Sequence, residues 1–183
     1  QFTATAYDEY NNIIVGTSFT WSTNVGTIDT AGLFTAQTMI GTGTVTATSG
    51  VIAGTANVIV TPGAVNLIVV TPDPLTIIVG NGQLFSAFAY DVYNNPIDGL
   101  NYTWTSDVGT VDASGFFTAQ TVPGSGTVTA TYGTANGFAT VTVNAGLLDH
   151  IIVTPNPATV AVGGSQTFTA TGYDVYNNVV TGT

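Results

Sequence analysis

The chain has 183 residues, 44% of them hydrophobic, with no Lys or Arg and a formal net charge of −10; nothing in it can neutralise phosphate, which excludes nucleic acid as a partner. The missing cations also remove any polybasic attraction to anionic lipid. Apolar runs such as Leu67–Val70 fall far short of the roughly 20 residues a membrane span needs, so no membrane insertion is expected of this segment. With no Cys, disulfides and thiolate metal sites are excluded and the redox compartment stays unread.

Hydroxyl and amide side chains, Thr above all, must keep this weakly charged surface wet. The chain starts at Gln1 with no basic-apolar signal segment before it, which fits either a processed protein or a window on a longer one.

Phe2, Phe85 and Phe168 open three near copies of one eleven-residue stretch, FTATAYDEYNN, FSAFAYDVYNN and FTATGYDVYNN, spaced 83 residues apart. Laying 1–63 on 84–146 at that offset gives about 35 identities, which marks a tandem repeat. Trp21 falls on Trp104, Asp29 on Asp112, Gly32 on Gly115, and FTAQT 34–38 on 117–121. Gly63 and Gly146 mark the junctions. The expected domains are 1–63, lacking its first strands; 64–146, complete; and 147–183, the N-terminal part of a third.

Within the complete repeat the predicted strands, in chain order, are LIVVTP, LTIIVG, LFSAFAYD, NYTWTSD, GTVDAS, FFTAQTV, SGTVTATYG and GFATVTV, each bounded by Gly, Pro, Asn or Asp. None has helical periodicity. So many short strands with turn signals every 8 to 12 residues or so predict an all-β chain of tandem antiparallel sandwiches. Alternation turns Val128, Ala130 and Tyr132 inward and Thr127, Thr129 and Thr131 outward. Phe85, Ala87 and Ala89 form another inner row, and the expected structural core centres on Trp21, Trp104, Phe85 and Phe117. A fully buried Trp104 would cost about 3–5 kcal/mol on truncation to Ala.

The ordered set VTP…P…VG…FTATGYD…YNN, W…GTVD.SG.FTA, G.GTVTATYG and ATVTV resembles the bacterial and archaeal Ig-like (Big) domains found in tandem in invasin/intimin-type adhesins and prokaryotic surface proteins. The resemblance implies immunoglobulin-like sandwiches, an extracellular, prokaryotic cell-surface location and a role as stalk, adhesive tip or filament part. Two departures stand out: Asn94 and Asn177 occupy places where the family often carries Gly, and the strands have no Lys or Arg.

Asp91, Asn94, Asn95 and Asp98 bring side-chain oxygens together in YDVYNNPIDG, as a hard cation such as Ca²⁺ prefers. The competing account is a turn in which Asp and Asn bond to neighbouring backbone N–H groups; Val15 and Thr181 replace Asp98 in the other copies. Asn101 begins an Asn-Tyr-Thr glycosylation sequon, and the Thr rows are alternative O-glycan acceptors or plain β-formers.

His150 is the sole histidine and stands where the preceding repeat has Leu67, which argues for a strand residue and against a catalytic base. A carboxylate-pair hydrolase built from Asp91, Asp98 or Asp112 would lack a cleft-forming insertion. The Gln of FTAQT lies beside Thr, as a Thr–Gln ester requires, though packing on an edge strand is simpler.

No cofactor and no catalytic residue are expected. The sequence points to a non-catalytic spacing and assembly module whose partners are neighbouring repeats, or identical subunits joined by strand donation. The alternative is an adhesin that recognises a receptor or glycan through its end loops.

Overall fold

The computed structural model describes residues 1–181 and is entirely β among them. It divides into two compact units: Gln1–Asn66 with Tyr90–Ile97, and Leu67–Ala89 with the chain from Asp98 onward. The turn 90–97 of the second sequence repeat therefore belongs to the first unit.

In the second unit, Thr103–Ser106, Gly124–Tyr132 and Ala135–Asn144 form antiparallel neighbours. Leu75–Ile78 closes that sheet in parallel with Val141–Asn144, a departure from the purely antiparallel expectation. Leu67–Thr71 pairs instead with Ser86–Tyr90. The Thr71–Pro74 segment lies between two strands that serve different sheets, and prolines without N–H groups suit such a break in the ladder.

The predicted strand 84–91 is divided in the same way. Gly82–Leu84 pairs with Phe116–Ala119, which also pairs with Gly109–Val111, and the chain changes sheet at Phe85. That residue donates its N–H to the Gly115 carbonyl at 2.9 Å and sends its ring into the core.

The core rests on Phe85 and Phe117, 1% and 0% exposed, packed edge to face with centroids 5.9 Å apart, the arrangement the ring quadrupoles favour. Val108, Val128, Ala130, Ala139, Val141 and Val143 surround them, all buried. The outward Thr row 127, 129 and 131 is only partly exposed, and Tyr132, at the strand end, is exposed despite its inward phase.

The first unit repeats this plan in Thr20–Thr23, Gly41–Ser49 and Ile52–Val60. Its Phe2–Phe34 pair again has centroids 5.9 Å apart.

The repeated D.SG motif acquires a physical role here. Asp112 accepts the N–H groups of Ser114 and Phe116, and Gly115 adopts φ 86°, a conformation L side chains resist. A Cβ at Gly115 would also lie 2.6 Å from the Phe85 carbonyl and 3.1 Å from the Trp104 ring.

Trp21 and Trp104 are half-buried, not central, because Trp104 lines an open seam with Phe88 and Tyr102. The full truncation penalty therefore moves to Phe117: Phe117→Ala is expected to cost about 3–5 kcal/mol in urea denaturation, and Trp104→Ala clearly less. Equal midpoint shifts would contradict this placement.

Candidate functional site

The three YDxYNN turns share one backbone design. Asn11, Asn94 and Asn177 take φ 63°, 66° and 64°, the left-handed region that Asn and Gly enter most readily. The preceding Asp holds the turn closed from within. Asp91 Oδ1 accepts the N–H groups of Tyr93 and Asn95, both at 2.9 Å, and Asp8 and Asp174 do the same for their turns.

The second and third copies add bonds that reach far along the chain. Asp91 Oδ2 accepts the N–H of Gly63 at 2.9 Å and the Asn95 side-chain amide at 2.9 Å. Asn95 Nδ2 also donates to the Thr38 carbonyl at 2.8 Å, while its Oδ1 accepts the N–H of Ile40 at 3.2 Å. All these residues lie in the first compact unit, and Asp91 and Asn95 are buried, 4% and 9% exposed.

In the second unit, Asp174 accepts Gly146 N–H at 2.8 Å and Asn178 donates to the Thr121 carbonyl at 2.8 Å. Pro123 stands where Ile40 does one repeat earlier and has no N–H to offer, so that bond belongs to the first unit alone.

FTAQT supplies the other half of the contact. Its last residue is Thr38 or Thr121, and the Gln before it ties the loop to itself: Gln37 donates to Met39 at 3.1 Å and Gln120 to Val122 at 2.9 Å. The amides of both glutamines are engaged with backbone carbonyls. Tyr176 adds a packing contact, with its hydroxyl 2.7 Å from where a Cβ on Gly80 would stand; Gly80, at φ 76°, is required on both counts.

Burial works to raise the Asp91 carboxyl, but the Asn95 amide and the N–H groups of Gly63, Asn95 and Tyr93 outweigh it, lowering it from 3.8 to about 2. Asp174 is lowered to about 2 by the corresponding balance. Charge-assisted bonds of this kind favour the ionised form.

Of the four residues in the calcium expectation, Asp91 and Asn95 are joined, but their oxygens face N–H donors. Asn94 supplies the left-handed corner, and Asp98 belongs to the second unit, where its charge helps raise the Tyr102 phenol after burial, the larger cause. Among the described residues no group of three or more His, Cys, Asp or Glu could hold a metal ion. This donor set suits backbone capture better than a hard cation.

Asn101 is exposed in the loop before Thr103–Ser106. His150 bonds to Asp149 at 3.0 Å and stacks on Tyr173, with centroids 5.5 Å apart. Asp112 is committed to its turn.

Because the folded pKa of Asp91 and Asp174 lies below the unfolded value, their contribution is complete above about pH 4 and is lost as pH falls towards about 2. Thermal melts between pH 4 and 7 should show no loss assignable to these turns, and Asp91→Asn should flatten part of the decline at lower pH. A melting temperature unmoved by Ca²⁺ or EDTA is the expected outcome for the same turns; a rise with Ca²⁺ that Asp91→Asn abolishes would restore the metal reading.

No protein-family model matches the chain. It is 33% identical over 181 residues to Ice-binding protein 1 of Shewanella frigidimarina (strain NCIMB 400), a match covering 94% of this chain and 20% of that protein. The chain thus spans about a fifth of that curated relative. Among solved structures, FdeC, an Escherichia coli adhesin, aligns with TM-score 0.51 and 22% identity over 78% of this chain and 53% of that one. Domains 4 and 5 of the S-layer protein SbsC align with TM-score 0.41 and 26% identity over 78% of this chain and 80% of that one. The chain is a tandem array of immunoglobulin-like β-sandwiches, a fold it shares with a bacterial adhesin.

Proposed function

We propose that this chain is a non-catalytic segment of an extracellular stalk or filament on a bacterial surface, and that its work is mechanical: it holds successive Ig-like repeats at a set spacing. The observation that carries this reading is the doubled long-range clamp, Asp91 and Asn95 on Gly63 and Thr38, then Asp174 and Asn178 on Gly146 and Thr121.

A flexible string of domains needs none of these bonds. Two side chains at each junction, both buried at the first and Asp174 buried at the second, spent on fixing one repeat's turn to the preceding repeat make sense where swivelling must be limited. The same residues are unsuited to turnover, since each carboxylate is already saturated with N–H donors.

The name of the Shewanella relative speaks of ice, but this chain corresponds to only a fifth of that protein. The spacer reading gives the segment the task of holding other parts away from the cell, and the isolated chain should produce no thermal hysteresis in ice-growth measurements.

Because the chain has no Cys, spin labels can be placed cleanly at Val51→Cys and Thr134→Cys, two exposed turn positions. The label–label distance distribution should be narrow and should broaden in Asp91→Ala/Asn95→Ala with both sandwiches still folded by circular dichroism. An equally broad distribution before and after substitution would refute the spacer mechanism.

A further inference from the structure

Phe88 breaks a pattern that the other two repeats keep. FTATAYD, FSAFAYD and FTATGYD place Thr5, Phe88 and Thr171 at one strand position, and Phe88 is 51% exposed. A chain that wets its strands with Thr has here set a large apolar ring against water, where it adds little to the core. The change is not isolated. Leu100, Asn101 and Tyr102 stand where Thr17, Ser18 and Phe19 do one repeat earlier, and all of them line the same seam as Phe88.

That seam is a groove of about 570 Å³, a size that suits a small ligand or a short length of polymer. Phe88, Tyr102 and Trp104 give it ring surface, while Ser86 and Asn101, both exposed, add a hydroxyl and an amide that can donate and accept. The Tyr102 and Trp104 rings are inclined at 62° with centroids 6.4 Å apart, so one flat aromatic ligand cannot stack on both. A chain of puckered units that turns along the groove can.

The walls are held in place before any ligand arrives. Thr103–Ser106 pairs residue for residue with 128–131. Gly115 backs the Trp104 ring so closely that a Cβ there would stand 3.1 Å from it, and the Ser114 hydroxyl donates to Asp112 at 2.6 Å. Little freedom is left to lose on binding, which favours recognition by a shallow site.

Charge narrows the ligand further. The chain has no Lys or Arg to receive phosphate, sulfate or a uronate, and Asp98, whose charge acts on Tyr102 after burial, the larger cause, repels them. No carboxylate lines the groove to attract a cation. An uncharged ligand rich in hydroxyls but with an apolar face remains, which describes a sugar. A pyranose with equatorial hydroxyls offers C–H groups on both faces of its ring for an aromatic side chain, and its hydroxyls project sideways to polar groups at the rim.

We propose that this groove binds a neutral polysaccharide of β-linked pyranoses, with Phe88, Tyr102 and Trp104 packing on the sugar rings and Ser86 and Asn101 bonding to their hydroxyls. The proposal stands apart from the stalk reading, because these residues all lie in the second compact unit and none belongs to a clamp.

Native electrophoresis of the full chain through gels containing polysaccharide tests it, since a net charge of −10 drives the protein while a neutral polymer stays in place. Hydroxyethyl cellulose and a β-linked galactan should retard the wild type, and anionic polygalacturonate should not. Phe88→Thr restores the residue of the other repeats at an exposed position and should weaken retardation by about tenfold in apparent Kd. Phe138→Thr, at a ring 59% exposed outside the groove, should leave it unchanged, which separates a site from general stickiness.

Failure of both neutral polymers to retard the wild type would overturn the proposal, as would equal retardation of Phe88→Thr. Phe88-dependent binding of the extended peptide GSGTVTATY in their place would also overturn it, making the groove a strand-addition edge instead. So would a glycan found by intact mass on Asn101 of the natively produced protein, since it would fill the groove from the chain itself.

Discussion

Everything else about this chain depends on one carboxylate used in an unusual way. Asp91 does not pair with a cation, because the sequence contains no Lys or Arg. It gathers four N–H groups, two from its own turn, one from the Asn95 amide and one from Gly63 in the preceding repeat. A buried charge without a counter-ion is tolerated only when its lone pairs are occupied by good donors. That requirement makes the turn and the junction a single object. The YNN corner supplies the left-handed residue that aims two backbone donors inward, and the junction supplies a third.

The same use of acids recurs throughout. Asp8, Asp29, Asp73, Asp107 and Asp112 each cap backbone N–H groups: Asp73 holds Thr140, and Asp107 holds Thr127. Asn24 stands in for Asp107 one repeat earlier and accepts Thr44 N–H at 2.8 Å, so the position needs an oxygen acceptor and not a charge. Gly43 and Gly126 follow from it, because a Cβ at either would collide with that oxygen. Among the described residues the only carboxylate contact with a basic side chain is that of Asp149 with His150, at 3.0 Å. Stability built on capped amides is far less exposed to salt screening than stability built on surface ion pairs.

Much of this was legible in the sequence, for identifiable reasons. An 83-residue period and strict alternation in SGTVTATYG and GFATVTV fix the strands and place Val128 and Ala130 inside, since a one-residue slip would turn every side chain outward. Trp104 misled because aromatic size suggests the centre of a core, whereas its ring lies along an open seam beside Tyr102. The division of 84–91 at Phe85 was hidden because both halves alternate in the same phase while pairing with different sheets.

The clamp itself was hidden for a different reason. Its partners lie 28 and 57 residues from Asp91 and Asn95, and no local pattern links them. Yet FTAQT, the junction Gly and YDxYNN all recur at one period, in the same order. Three short motifs retained together where intervening residues such as VIA and TAN diverge suggest one shared constraint, and the hydrogen bonds supply it.

Part of the motif is purely local. Asp8 closes its own corner with Tyr10 and Asn12, and that local part is enough to hold Asn11 at positive φ. Clamping adds the junction N–H to the second carboxylate oxygen, which already accepts the turn's own Asn amide. Tyr176 lies over Gly80, so the ring of the motif also reaches the preceding repeat. A motif that first folds locally and then offers one oxygen, one amide and one ring to the preceding repeat suits a chain that adds repeats one at a time. Each junction is completed by residues already in position, and its ordering cost is largely met before the long-range contacts form.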